Sequence, residues 1–378
     1  MASPVPSFYS AAAGSSIKGG IAAPPPAYMS GKAVLEWATI ANTSGLGKVN
    51  AFCGVAYRQD TGGLLELTSL AGQGHDDGPD NGVYSVRLDV DTPSVTTRKA
   101  ASSSVAANVD YYSDGKPSAR HTYWFTHWVP ELSRYVLFGA KTLYGGAVRD
   151  NLKVDAFNPA TNTWDGVVSD SPGTAGSGYP DLPTDRARMT CRDPATGNFY
   201  ALITNTLYRW NPSAPGTYTS ITLSGTGAGT TRGAQVWDTL RNDMFHLCAG
   251  DNFNTKSSTI TCTSVSPTGV RQPITLSGSG LAEFQANAST MINSTVEYDN
   301  SLDCFYFYDG FAAATAGKVW KIVRTSVSTA TITLLATTGV SVPVCPGGVN
   351  SKFRYIDALK CCVLVPSQTA NIHFFRTQ

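Results

Sequence analysis

The chain has 378 residues, of which 42% are hydrophobic and 10% aromatic, a composition that excludes a disordered protein and suffices for a large core. Charged residues are only 15% and the net charge is +1, without a Lys/Arg run, so nucleic acid is not an expected partner. No apolar stretch approaches the ~20 residues that span a bilayer, and the first residues lack the features of a secretory signal, so we expect synthesis in a cytoplasm and no membrane insertion.

The first predicted element is an extended N-terminal docking arm, residues 1–31, rich in Ala, Gly, Ser and Pro. A proline run favours an extended polyproline II path, and the apolar side chains are spaced widely enough to act as separate anchors. The candidate partner-binding residues are Phe8, Tyr9, Ile17, Ile21, Pro24, Pro25, Pro26, Tyr28 and Met29. We predict that this arm lies on a neighbouring chain and not on its own domain.

Residues 32–378 contain one repeated unit: a strand, a tight polar turn and a strongly apolar strand. The apolar strands are predicted at 64–67, 135–138, 199–203, 244–248, 304–308 and 361–365. A third strand follows each of them, at 81–86, 151–154, 206–210, 259–262, 318–322 and 371–375. An outer fourth strand is predicted at 95–98, 163–164, 218–223, 272–276 and 331–335. Four strands per unit are typical of a propeller blade.

The sixth unit lacks a fourth strand, because the chain stops at Gln378. The apolar segment 34–40 has no other place in the count, so we expect it to pair with the strand at 371–375 and close the ring. The predicted fold is an all-β, six-bladed, kelch-like β-propeller.

Several segments resemble kelch-type repeats, as in the central domain of galactose oxidase. They are Gly74-His75-Asp76-Asp77 leading into Asn81-Gly82-Val83-Tyr84, and the segments 157–164, 193–197 and 207–212. The glycine doublet usual after the second kelch strand is reduced here, for example to Ala71-Gly72. The style of the propeller resembles that of bacteriophage tail and capsid-surface proteins.

The strongest polar cluster runs from His75 to Asn81. Its carboxylates, Asp76, Asp77 and Asp80, are weak candidates for Ca²⁺ ligands, but they lack the EF-hand spacing. The alternative is a loop stabilised by its own hydrogen bonds. His121 and His127 are expected at the two ends of one inner strand, where they pack more readily than they bind zinc. We expect no metal or other cofactor, and the eight cysteines are expected to be small buried residues without a disulfide framework.

Two functions remain. Low charge, the absence of an export signal and the phage resemblance imply a non-enzymatic structural or attachment protein of a virion, bound to other protein chains as homo- and hetero-oligomers, with a host-surface glycan as a further candidate partner. The alternative is a sialidase-like glycosidase or a glycan-binding lectin, although the repeated sialidase boxes are missing. An arginine and carboxylate cluster at the channel mouth would favour the alternative; Arg120, Arg186, Arg188 and Arg232 are the arginine candidates. Loops at 111–115 and 144–146 also suit recognition.

Overall fold

In a computed structural model, the described residues are 24–46, 49, 51–73, 78–138, 142–147, 154–165, 190–203, 205–214, 217–226, 232–250 and 256–378. Over these residues the protein is all-β, with one short α-helix, α1 (Leu281–Ala286), and 3₁₀ turns at Ala27–Met29, Ala288–Asn293 and Asp357–Leu359. The part of the chain that is described includes no helix long and apolar enough to cross a bilayer.

After β1 (Glu36–Ile40), the strands form successive groups of four antiparallel neighbours. The first group is β2 (Ala56–Gln59), β3 (Leu65–Leu70), β4 (Val83–Arg87) and β5 (Val95–Lys99). The second is β6 (Thr126–Val129), β7 (Arg134–Phe138), β8 (Val154–Asn158) and β9 (Thr163–Trp164). The third is β10 (Thr190–Arg192), β11 (Phe199–Ile203), β12 (Thr206–Trp210) and β13 (Tyr218–Thr222).

The fourth and fifth groups share one larger sheet. They comprise β15 (Arg232–Asp238), β16 (Asp243–Gly250), β17 (Lys256–Val265) and β18 (Val270–Ser277), then β19 (Thr295–Asp299), β20 (Cys304–Tyr308), β21 (Val319–Arg324) and β22 (Thr329–Leu334). The outer strands β18 and β22 pair in parallel and join the two groups. A short strand, β14 (Ser224–Gly225), pairs with β18.

The last group combines both ends of the domain. It contains β24 (Phe353–Ile356), β25 (Cys361–Leu364), β26 (Ile372–Arg376) and β1, and β23 (Thr338–Gly339) pairs with β1 on its outer side. β1 and β26 are antiparallel, from Trp37 opposite Phe375 to Ile40 opposite Ile372. The predicted pairing of segment 34–40 with the strand at 371–375 is therefore confirmed.

The first strands of the groups meet one another. β2 contacts β6, β10 contacts β15, and β19 contacts both β15 and β24. His127 of β6 is hydrogen-bonded to Thr190 of β10, and Arg354 of β24 donates to the carbonyl of Val55, just before β2. This succession of neighbours and the four-stranded sheets are consistent with a β-propeller.

Aspartates fix the turns that follow several first strands. A carboxylate oxygen of Asp60, Asp193, Asp238 or Asp299 accepts hydrogen bonds from backbone N–H groups within the same turn. This local capping is the reason that aspartate recurs at these turns. All eight cysteines are buried thiols, as expected from the sequence.

The end of the predicted arm differs from expectation. Met29 is 2% exposed and lies in the core cluster with β1 and β26. The Tyr28 hydroxyl donates to the Leu88 carbonyl at 2.8 Å, and its ring packs edge-on against Phe374. These two residues therefore pack on their own domain, because apolar side chains next to β1 gain more from the adjacent core than from solvent. Pro24, Pro25 and Pro26 precede this anchor, whereas Phe8, Tyr9, Ile17 and Ile21 lie outside the described residues.

Candidate functional site

The segment between the first and second groups contacts the residues that precede the first strands of the fifth and last groups. The Trp124 side chain is buried and its Nε1 donates to the Ser294 carbonyl, just before β19, at 3.2 Å. The Tyr123 carbonyl accepts from Ser351 Oγ at 2.9 Å. Gly54 is required here, since a Cβ at that position would overlap the Tyr123 carbonyl oxygen. These contacts join segments that lie just before the first strands β2, β6, β19 and β24.

A pocket of about 250 Å³ is lined mainly by residues of the first strands. We call it the central pocket, and its residues come from five of the six groups. They are Tyr57, Gln59, His127, Trp128, Pro130, Arg192, Glu297 and Arg354. A cavity of this size reaches five sheets only where those sheets converge, so the sequence-distant side chains are brought together by the ring of first strands.

Arg354 and Glu297 form the charged wall of the central pocket. Arg354 Nη1 lies 3.1 Å from Glu297 Oε1, and Nη2 donates to the Val55 carbonyl at 2.9 Å. Burial raises the pKa of the Glu297 carboxyl, and the neighbouring Arg354 partly counteracts that rise. Arg354 thus links β24 to the segment before β2 and to β19.

Arg192 forms a second ion pair at the rim. Its guanidinium is paired with Glu131, in the turn after β6. Gly197 has a φ of 76°, and a Cβ there would lie 2.5 Å from Glu131 Oε1. The glycine therefore leaves room for this carboxylate beside Arg192.

His127 stands between two aromatic rings at the pocket. Its ring centroid is 5.1 Å from that of Phe199 and 5.8 Å from that of Phe138. Burial, with the nearby Arg354 and Arg192 charges, lowers the pKa of His127 to about 3. The imidazole is therefore neutral near pH 7 and contributes no charge to the pocket.

The remaining polar groups of the central pocket are the Tyr57 hydroxyl and the Gln59 amide. The Tyr57 hydroxyl donates to Gln59 Oε1 at 2.9 Å, and burial raises the pKa of this phenol. The Arg58 guanidinium lies over the Trp128 ring, and its Cζ is 4.4 Å from the ring centroid. The pocket thus combines hydrogen-bond donors, acceptors and an aromatic wall, which suits a ligand rich in hydroxyl groups.

Only the second half of the loop predicted as a weak cation site, from residue 78 onward, belongs to the described residues. His75, Asp76 and Asp77 lie outside the described residues. Asp80 Oδ1 accepts from the Gly82 N–H at 2.8 Å, and both carboxylate oxygens accept from the Tyr84 hydroxyl. Within the described chain, no three His, Cys, Asp or Glu side chains are grouped to hold a metal ion.

The two histidines of the predicted inner strand are separated. The strand begins only at Thr126, because the backbone at Tyr123 has a φ of 43° and cannot continue a strand. His121 is buried, with Nδ1 3.3 Å from the Tyr123 hydroxyl, whereas His127 lines the central pocket. The expectation that both lie at the ends of one strand was wrong.

The predicted arginines are not those of the pocket. Arg120 is fully buried and pairs with Asp155 at 3.4 Å, away from the central pocket. Arg186 and Arg188 lie outside the described residues, as does the side chain of Arg232. The predicted recognition loop at 111–115 is also engaged internally, since the Tyr111 hydroxyl donates to Asp155.

Sequence reasoning missed Arg192, Glu297 and Arg354. Each is a charged residue within a first strand, one to three positions before an aspartate at or just after the end of that strand. A charged residue inside a short predicted strand was the available signal, because a charge that becomes buried requires a partner.

Comparison with known proteins gives fold resemblance alone. No family model matches the chain, and no curated protein matches it. Solved structures similar to it are β-propeller-like proteins. An auxiliary nutrient binding protein from Bacteroides ovatus has 10% identity and a TM-score of 0.48, with 89% of this chain and 72% of that chain covered.

Two further structures are similar over most of their length. A luciferin-regenerating enzyme has 10% identity and a TM-score of 0.46, with 90% of this chain and 94% of that chain covered. A putative exo-beta-1,3-galactanase from Bifidobacterium bifidum has 12% identity and a TM-score of 0.46, with coverage of 82% and 99%. The TM-scores lie below 0.5, so no activity is inferred from these similarities.

Proposed function

We propose that the chain is a six-bladed β-propeller that binds a glycan in the central pocket and serves as a non-enzymatic attachment module. The observation that carries this proposal is the convergence of Arg192, Arg354 and Glu297 with neutral hydroxyl, amide and imidazole groups around one cavity. Its volume is below the ~300–1,000 Å³ of pockets that enclose drug-sized ligands. A single sugar residue or chain end is therefore the ligand we expect.

The number of carboxylates that line the central pocket favours glycan binding over glycoside hydrolysis. Hydrolysis ordinarily requires two carboxyl groups on opposite sides of the scissile bond, and Glu297 is the one carboxylate among the pocket-lining residues described. A sialidase-like route would need a tyrosine activated by an acidic partner, but Tyr57 donates to an amide oxygen and its pKa is raised. The glycosidase alternative is thus less well supported than a lectin.

The test is a glycan-array screen with the full chain, followed by titration of any hit. Arg192→Met should weaken binding at least tenfold, because it removes the donor at the rim. The matched control is Arg87→Met, which breaks another partly exposed ion pair, with Asp89, and should bind normally. Absence of any glycan ligand, or equal binding by both variants, would overturn the proposal.

The assembly in which such a module would act stays a prediction. A virion component with partner chains docked through residues 1–23 agrees with the composition of that segment, which is rich in Ala, Gly and Ser.

A further inference from the structure

We infer that the central pocket takes an uncharged sugar residue and discriminates against the corresponding uronic or other acidic sugar. This inference rests on the proposed function and extends it to the class of ligand. It comes from the charge balance of the pocket.

Both guanidinium groups of the pocket already have a carboxylate partner. Arg354 Nη1 is 3.1 Å from Glu297 Oε1, with side chains only 16% and 15% exposed. Arg192 is paired with Glu131 at the rim. Since His127 is held neutral, the two positive and two negative charges of these pairs cancel, and among the described residues of the pocket no cation is left in excess.

A ligand carboxylate would therefore compete with an internal one. Entering the pocket, it would lose its hydration and lie beside Glu297, whose like charge repels it strongly in a partly dehydrated site. It would gain Arg354 only by displacing Glu297, which would then be left buried without its partner. This exchange disfavours an acidic sugar.

A sugar hydroxyl meets no such competition. Hydroxyl groups both donate and accept, so one sugar face can satisfy Glu297 as an acceptor and Arg192 as a donor. Arg192 lines the pocket with a guanidinium whose charge is already balanced by Glu131. The Tyr57 hydroxyl and the exposed Gln59 amide add groups that both donate and accept.

The experiment compares matched ligands on the full chain by saturation-transfer NMR. Glucose, galactose and mannose are each paired with the uronate that differs only at carbon 6. We expect at least one hexose to bind at least tenfold more tightly than its uronate. Glu297→Gln keeps the shape of the side chain but removes the competing charge, so it should reduce or reverse that preference by at least tenfold. Glu36→Gln, at an exposed pair with Lys32, is the control and should leave the preference unchanged.

The outcomes separate the two claims. A uronate that binds the unaltered protein as tightly as its hexose overturns this inference and leaves glycan binding standing. A hexose preference that survives in Glu297→Gln overturns the charge explanation. If no sugar binds, the proposed function fails and the inference fails with it. Thermal melting verifies that Glu297→Gln is folded; if it is not, Glu131→Gln applies the same test at Arg192.

Discussion

Arg354 connects three parts of the ring that are far apart in sequence. It belongs to β24, donates to the Val55 carbonyl before β2, and pairs with Glu297 of β19. Both charges are mostly buried, so each depends on the other for compensation. The residue therefore stabilises the packing of β24 against β19 and against the segment before β2, as well as forming the pocket wall.

Arg354→Met should destabilise the protein by about 3 kcal/mol, because Glu297 is left as a buried charge without its guanidinium. The double variant with Glu297→Gln should recover much of that loss. Urea unfolding measures both free energies of unfolding. Lys32→Met, at the exposed pair with Glu36, should cost no more than about 0.5 kcal/mol. A single variant as stable as this control would contradict the role of Arg354.

Two buried histidines make stability depend on pH. Burial lowers the pKa of His246 to about 4 and that of His127 to about 3, whereas histidine in an unfolded chain titrates near 6.5. Between these values the unfolded state binds more protons. Stability is therefore full above about pH 7 and falls as the pH drops through ~6.5, by up to ~1.4 kcal/mol per pH unit for each histidine.

His246→Gln should reduce this acid sensitivity. Urea unfolding at about pH 7 and about pH 5 should show a loss smaller by roughly 2 kcal/mol than in the unaltered protein, because one buried group no longer has to remain neutral. Comparing variants cancels the carboxyl groups that titrate in the same range. An identical loss in both proteins would show that His246 does not govern the response.

At the scale of elements, the sequence predicted most strands but not how the fourth and fifth groups are joined. The predicted strands 199–203 and 304–308 coincide with β11 and β20. The predicted 151–154 strand instead lies at Val154–Asn158 as β8, because the segment read as a kelch-type turn begins inside the strand. Residues 151–153 are outside the described part of the chain.

Where the fourth and fifth groups meet, β18 separates from β17 and pairs with β22 instead. β18 pairs with β17 as far as Ile274, and from Thr275 it pairs in parallel with β22. Helix α1 covers the opening: Gln285 Oε1 accepts from the Ile260 N–H at 2.7 Å and its Nε2 donates to the Ile260 carbonyl at 2.9 Å. One side-chain amide therefore occupies the place of a missing strand.

Gln285→Leu should leave both Ile260 backbone groups without these partners and cost ~1–3 kcal/mol. Hydrogen exchange at the Ile260 amide should accelerate more than exchange at β20. The control on the same helix is Glu283→Gln, at an exposed pair with Lys318, which should leave exchange unchanged. Unaltered exchange in Gln285→Leu would show that the Ile260 backbone is protected without this side chain.

At the scale of the whole molecule, the stability of the domain depends on the segment at its N-terminal boundary. β1 completes the last group, and Met29 and Tyr28 are part of the packing beneath it. Deleting residues 1–41 should therefore lower the Tm sharply or prevent folding, because β26 loses β1 on one edge and the core is exposed. Deleting only residues 1–23 should leave the Tm unchanged. Equal melting of both truncated chains would contradict ring closure as a source of stability.

The 1–23 deletion also tests the docking prediction. If the chain belongs to a virion and docks through this segment, the truncated protein should fold and bind glycan but fail to enter particles in an incorporation assay. Normal incorporation would remove the docking role.

The sequence by itself determined the repeat, and through it the all-β fold and the closing strand. Alternating apolar residues and turn-capping aspartates such as Asp60 and Asp238 act locally, so their consequences are visible along the chain. The central pocket depended on tertiary structure alone. Arg192, Glu297 and Arg354 are neighbours only because the first strands converge, and the partners that set their charge balance lie more than fifty residues away. No local sequence pattern predicts this proximity, because strand register and the convergence of the first strands bring those side chains together.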